Sequence, residues 1–165
     1  MKQHIHITLI LFFFISFSFG QSIDSVRLKK KAFKNYSACL KSHEEKKIKK
    51  YEKYVHPTII KQVGKEKLLL KNDSNIKIRE RSISEIGKIH FDNQAYQFTF
   101  TETTISDVVN KEKVCSYTVI AMSYDKGKNW VFFNAYDSIE KMKEDIPELS
   151  SNLKVKNIPI QNFQF

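Results

Sequence analysis

Val114-Cys115-Ser116-Tyr117-Thr118-Val119-Ile120-Ala121-Met122 runs into Ser123-Tyr124-Asp125-Lys126-Gly127-Lys128-Asn129, and Trp130-Val131-Phe132-Phe133 follows. The first run is apolar on both of its alternating faces apart from Ser116 and Thr118, the pattern of a strand covered on two sides. In the polar stretch after it, the Asp125 carboxylate can accept amide hydrogen bonds within a turn, and Gly127 can take positive φ without steric cost. A tight hairpin at the centre of a sheet is predicted, with Trp130 packing where the returning strand begins.

Working outward, Tyr96, Phe98 and Phe100 alternate with Gln97, Thr99 and Thr101, which predicts a strand with one apolar and one polar face. Ile76 and Ile78 alternate with basic residues, and a strand resumes near Ile86–Phe91, broken by Gly87. Asn72–Asn75 and Asp92–Gln94 read as turns, and Val108–Lys113 as a polar connection.

Before residue 70 the period is helical. Val26, Phe33, Tyr36 and Leu40 fall on one stripe of a helix beginning after Asp24. Ser42-His43-Glu44-Glu45 has the form of a capping box, which would start a second helix carrying Ile48, Tyr51 and Val55; one long helix through Val55 is the alternative. His56-Pro57 ends that helical region and starts a short helix over Pro57–Val63, closed by Gly64, with another turn over Lys65–Lys71. At the other end, Asp137-Ser138 caps a helix with Ile139, Met142 and Ile146 inward and Glu140 placed to complete the cap. Pro147 stops it, and the alternation over Leu153–Phe165 is confined to a sheet edge by Pro159. The fold class expected is α+β, with N-terminal helices packed on a curved antiparallel sheet and one C-terminal helix.

Lys2 is followed by a nearly unbroken apolar run, Ile5–Phe19, ending in Ser18-Phe19-Gly20. This predicts a secretory signal peptide over residues 1–20, shorter than the ~20 residues a membrane span needs, and hence a periplasmic or extracellular protein. The remaining 145 residues (165 − 20) suit one domain, residues 21–165. They hold 27 basic and 18 acidic residues, a net +9 that favours acidic partners, although a lysine-rich solvated surface is the plainer reading.

Cys39 and Cys115 are the only cysteines. Each falls on the apolar side of its element, so a disulfide and two separate buried thiols stand as equal alternatives. Without a clustered histidine pair they make no zinc site, and neither a metal nor a cofactor is expected.

Ser123-x-Asp125-x-Gly127-x-x-Trp130 resembles the Asp-box of sialidase-like propellers at every position except Asn129. In that family the hairpin is structural and recurs blade by blade, so a single copy carries no catalysis across. The order of elements is more informative. With Tyr54–Ile60, Gly64–Lys67, Asp125–Trp130, Ile146–Leu149 and Ile158-Pro159, it resembles the nuclear transport factor 2-like superfamily, the cystatin-like α+β cone, and within it small exported bacterial proteins of unknown function. One glycine, Gly64, stands before Lys65 where two would be usual. The resemblance implies a curved sheet around a long helix, in a superfamily with both enzymes and non-catalytic members.

A cone enzyme would need an acid or base at its mouth, and the polar candidates are His56, Glu102 and Tyr117. Each also reads as a capping, strand-end or core-edge residue, and no catalytic set is assigned. The preferred function is a non-catalytic binding or interaction module of the cell envelope or exterior, taking an apolar small molecule or an anionic surface. The alternatives are a cone-type isomerase, dehydratase or cyclase acting on a hydrophobic ligand, and a binder of anionic polymers through the lysine-rich helices. No nucleic acid is expected as a partner, and a homodimer is allowed.

Overall fold

The computed structural model describes residues 24–69, 76–108 and 111–156. The signal peptide over 1–20, the Asn72–Asn75 turn and the end of the C-terminal tail with Pro159 lie outside the described residues.

The architecture is α+β. Helix α1 (Ser25–Glu44) starts where the Asp24 carboxylate accepts from the Arg27 amide at 3.0 Å. It runs through the expected capping box. Ser42 is buried inside the helix, and its hydroxyl donates back to the Ala38 carbonyl at 2.6 Å, so it caps nothing. The break comes later, at Lys46, which adopts φ 53°. Two residues on, α2 (Ile48–Tyr51) begins and passes into a 3₁₀ turn, Glu52–Tyr54. Helix α3 (Pro57–Val63) has its proline in the first turn and ends at Gly64, whose φ of 83° suits glycine. A second 3₁₀ turn covers Lys65–Leu69.

Five strands follow in one antiparallel sheet: β1 (Ile76–Ser84), β2 (His90–Asp92), β3 (Ala95–Val108), β4 (Lys111–Ser123) and β5 (Val131–Asn134). Their order is β1-β3-β4-β5, with β2 beside β1 along the same edge of β3. The sheet centres on β3 and β4, paired from Tyr96↔Ser123 to Val108↔Lys111. Two expectations change here. The polar stretch Val108–Lys113 belongs mostly to these two strands, and the hairpin Ser123–Trp130 lies toward the short strand β5 rather than at the sheet centre. Helix α4 (Ile139–Asp145) closes the described architecture, its Ser138 hydroxyl accepting from the Lys141 amide.

Alternation along β4 divides the core in two. Val119 and Ala121 face α1 with Phe98, Phe100, Trp130 and Phe132, against Ala32, Tyr36 and Cys39 of the helix. Aromatic edges meet rings there: Tyr36 lies 5.0 Å from both Phe100 and Phe132 between centroids. Ile120 and Met122 face the other way, onto Val55 and Ile59 before and within α3 and onto Ile139, Met142, Ile146 and Leu149 around α4. The apolar stripe of α1 is displaced from the expected one, since Val26 is exposed and Ala32 and Cys39 are buried. The first half of β4 is also less covered than its composition suggests, with Val114 exposed.

The polar face of β3 is not a solvent face. Gln97 is fully buried under the chain that follows α4. Its amide donates to the Glu148 carbonyl at 2.7 Å, and its carbonyl accepts from the Ser150 amide at 2.9 Å. One side chain thereby satisfies two backbone groups of an irregular segment pressed onto the sheet.

Candidate functional site

Phe98, Phe100 and Glu102 succeed one another on the α1 face of β3, so the third position places a carboxylate in an apolar row. Glu102 is 1 % exposed, and at that burial a charge must be met by hydrogen bonds and an opposite charge. Both are present. Arg81 of β1 donates through Nη1 to Glu102 Oε1 at 2.7 Å, and the Tyr36 hydroxyl of α1 donates to Oε2. Tyr117 of β4 stands directly opposite Glu102 in the strand register. The other Arg81 nitrogen, Nη2, lies 3.8 Å from Glu44 at the end of α1.

Proton affinities follow from this arrangement. Burial, and then the Glu102 charge, raise the Tyr36 phenol well above its ordinary value, and the same two causes raise Tyr117. Burial disfavours the Arg81 charge, but Glu102 outweighs it and holds the guanidinium protonated. Burial also pushes the Cys39 thiol up to about 12, whereas burial and then Arg81 lower the His43 imidazole.

Beside this cluster a cleft of about 160 Å³ opens between the C-terminal half of α1, α2, α3 and strands β4 and β5. Leu40, Val55, Ile59, Leu68, Phe132 and Phe133 supply its apolar wall, and Tyr36, His43, Tyr51, Tyr117 and Asn134 its polar edge. Glu102 is not among the lining residues, so the phenols of Tyr36 and Tyr117 are what the cluster presents to the cleft. A protonated phenol can donate a hydrogen bond, and Tyr36 already directs its hydrogen bond at Glu102. The set is suited to holding a shape rather than to abstracting a proton.

Of the three sequence candidates, Glu102 and Tyr117 come together, and His56 belongs to another group. His56 is buried at the start of α3, where its Nδ1 accepts from the Thr58 amide at 3.3 Å. A neutral ring that accepts at Nδ1 carries its proton on Nε2. That nitrogen lies 2.8 Å from the Tyr124 hydroxyl, which in turn donates to Glu148 Oε1 at 2.8 Å. All the proton donors point outward toward the carboxylate, so His56 Nε2 offers no lone pair to a substrate. Burial lowers the His56 proton affinity and Glu148 partly restores it.

Tyr36, Arg81, Tyr124 and Glu148 were not legible as site residues. The available signal was Glu102 itself, since a carboxylate in register with Phe98 and Phe100 requires a cation from a neighbouring element. Cys39 and Cys115 are both free thiols, the first buried and the second half-buried. Among the described residues, no group of three or more histidine, cysteine, aspartate or glutamate side chains is placed to hold a metal, and no helix is long and apolar enough to cross a membrane.

The hairpin between β4 and β5 is held by its own side chains. Asp125 Oδ1 accepts from Ser123 Oγ and from the amides of Lys128 and Asn129, and the Ser123 hydroxyl accepts from the Gly127 amide. The Trp130 indole donates to the Gly127 carbonyl at 3.2 Å, under α1.

No family model, curated protein or solved structure matches this chain.

Proposed function

We propose that this protein is a non-catalytic binding module, exported by the apolar segment Ile5–Phe19, whose cleft takes an apolar group of a small molecule. The observation that carries this reading is the engagement of Glu102: Arg81 and Tyr36 hydrogen-bond to both oxygens of this buried carboxylate, which does not itself line the cleft. An enzyme of the cone type would need that group, or His56, free to exchange a proton with substrate, and both are already committed. Size points the same way. A cleft of about 160 Å³ is smaller than the roughly 300 Å³ at which ordinary small-molecule sites begin, and near the volume that accepts a benzene-sized group. Kinship with the nuclear transport factor 2-like superfamily is part of the proposal, supported by the sequence resemblance and by the long helix α1 packed on an antiparallel sheet.

Phenol and indole are suitable probes, followed by ligand-observed NMR. Leu40 is half-buried on the cleft wall, so Leu40→Trp fills the space without entering the deeper core. Saturable binding to the native chain, lost in the variant, is expected. Binding that is absent, or that persists unchanged in Leu40→Trp, would exclude the cleft as the site.

A further inference from the structure

The charge of this chain is segregated. Residues 24–69, the helical part, hold 14 lysines and arginines against 5 acidic residues, a net +9, whereas residues 70–165 hold 13 of each. A general bias toward lysine would enrich both parts. What distinguishes the helical part is its density of cations, 14 in 46 residues against 13 in 96, with no matching rise in acids, 5 in 46 against 13 in 96.

Helix geometry then arranges part of this excess in a line. Arg27, Lys30, Lys34 and Lys41 follow at three, four and seven residues, the spacing of one helical face, and all four are exposed. They lie opposite Ala32, Tyr36 and Cys39, which face the sheet, and span about 21 Å along the helix axis. Among the described residues, Arg27, Lys30 and Lys34 form no ion pair, and Lys41 reaches only Glu45, at 3.9 Å with both groups solvated. Exposed Lys49, Lys50 and Lys53 continue the basic surface into the next helical turns.

From this ridge we infer that α1 binds a linear anionic polysaccharide laid along its solvent face. A row of cations suits a chain with regularly repeated charges, because each lysine meets one charge and displaces its counterion. A membrane surface fits less well: lipid-bound helices insert bulky apolar side chains, and Val26 is the one large exposed apolar residue of α1. Single-stranded nucleic acid fits less well too, since the aromatic residues between these cations, Phe33 and Tyr36, pack toward the sheet and leave no ring on the ridge for a base to stack on. This inference does not depend on the cleft reading; export bears only on where such a polymer would be met.

Heparin serves as the probe, with affinity measured against salt for the full chain without its first 20 residues. Lys30→Glu, Lys34→Glu and Lys41→Glu together are compared with Lys88→Glu, Lys128→Glu and Lys154→Glu, exposed positions in the balanced part. Both triples change the net charge equally. The ridge triple should lose about tenfold or more in affinity and flatten the salt dependence, and the control less than about threefold. Should the ridge triple fold poorly by circular dichroism, the corresponding glutamine triple replaces it. Equal losses in both triples would overturn the inference, as would elution of the unaltered chain below about 0.15 M salt. Tighter binding to vesicles of phosphatidylcholine and phosphatidylglycerol, or to a thymidine oligonucleotide, would also overturn it.

Discussion

Arg81 Nη1 lies 2.7 Å from Glu102 Oε1, joining edge strand β1 to central strand β3 beneath the end of α1. The guanidinium is partly solvated, with 22 % of its side chain exposed, whereas the carboxylate is at 1 %. The two halves of the pair are therefore unequal when one is removed.

Arg81→Met should leave Glu102 charged and buried with only hydroxyl donors, at a cost of about 3 kcal/mol, the lower end for a broken buried pair because Arg81 sits at the rim. Glu102→Gln keeps an acceptor for Tyr36 and leaves a cation that water and Glu44 can reach, so about 1 kcal/mol is expected. Urea unfolding of the two variants checks the order. Equal losses would mean that Glu102 is better solvated than its burial implies.

His56 gives a pH dependence of known sign. Burial holds its folded proton affinity below that of an imidazole in the unfolded chain, whose pKa is about 6.5. As pH falls through that value the unfolded chain takes up a proton that the folded chain resists, so stability present at pH 7.5 is progressively lost. His43, lowered by burial and Arg81, acts in the same direction. In His56→Asn the asparagine can still cap α3, so the variant should fold and show a shallower decline in Tm from pH 7.5 to 5.5. An unchanged slope would remove His56 from the account.

The two cysteines should differ in reactivity. Burial under α1 pushes the Cys39 thiol up to about 12 and denies access, whereas Cys115, half-buried on β4, is reachable from solvent. Brief maleimide treatment of the reduced native chain, read by intact mass, should add one label at Cys115. A second label should appear only in denaturant, and rapid double labelling of the native chain would contradict the burial of Cys39.

Some of this was open to inspection of the sequence and some was not, for identifiable reasons. The alternation of Tyr96, Phe98 and Phe100, the proline-started helix at Pro57 and the hairpin at Asp125–Gly127 are local, and each appears where its pattern puts it. The outer halves of β3 and β4 carry no such pattern. Asp107 pairs with Glu112 through the backbone while the side chains stay near solvent, so hydropathy does not mark the strands. Ser42 fits the pattern of a capping box, but a serine hydroxyl can equally bond the carbonyl four residues back, and the local sequence is the same in both cases. The site was the least legible part. Tyr36 reads as one more apolar position of α1, and only the fold brings its hydroxyl to a carboxylate 66 residues away.

Gly127 and Gly64 both adopt positive φ, 79° and 83°, yet their surroundings differ. A β-carbon at Gly64 would meet nothing within 4 Å, so Gly64→Ala should carry only the backbone penalty of φ 83° with ψ 140°, a combination close to glycine-only, on the order of 1–3 kcal/mol. At Gly127 it would collide with Leu28 Cδ2, on the side chain by which α1 covers the hairpin. The Leu28 side chain must then turn aside and give up part of its packing on the hairpin, at a cost on the order of 1 kcal/mol. Urea unfolding should therefore show Gly127→Ala and Leu28→Ala together losing less than the sum of the two single variants, whereas Gly64→Ala and Leu28→Ala should add. If the losses at Gly127 and Leu28 simply added, the contact between α1 and the hairpin would not be the constraint that places this turn.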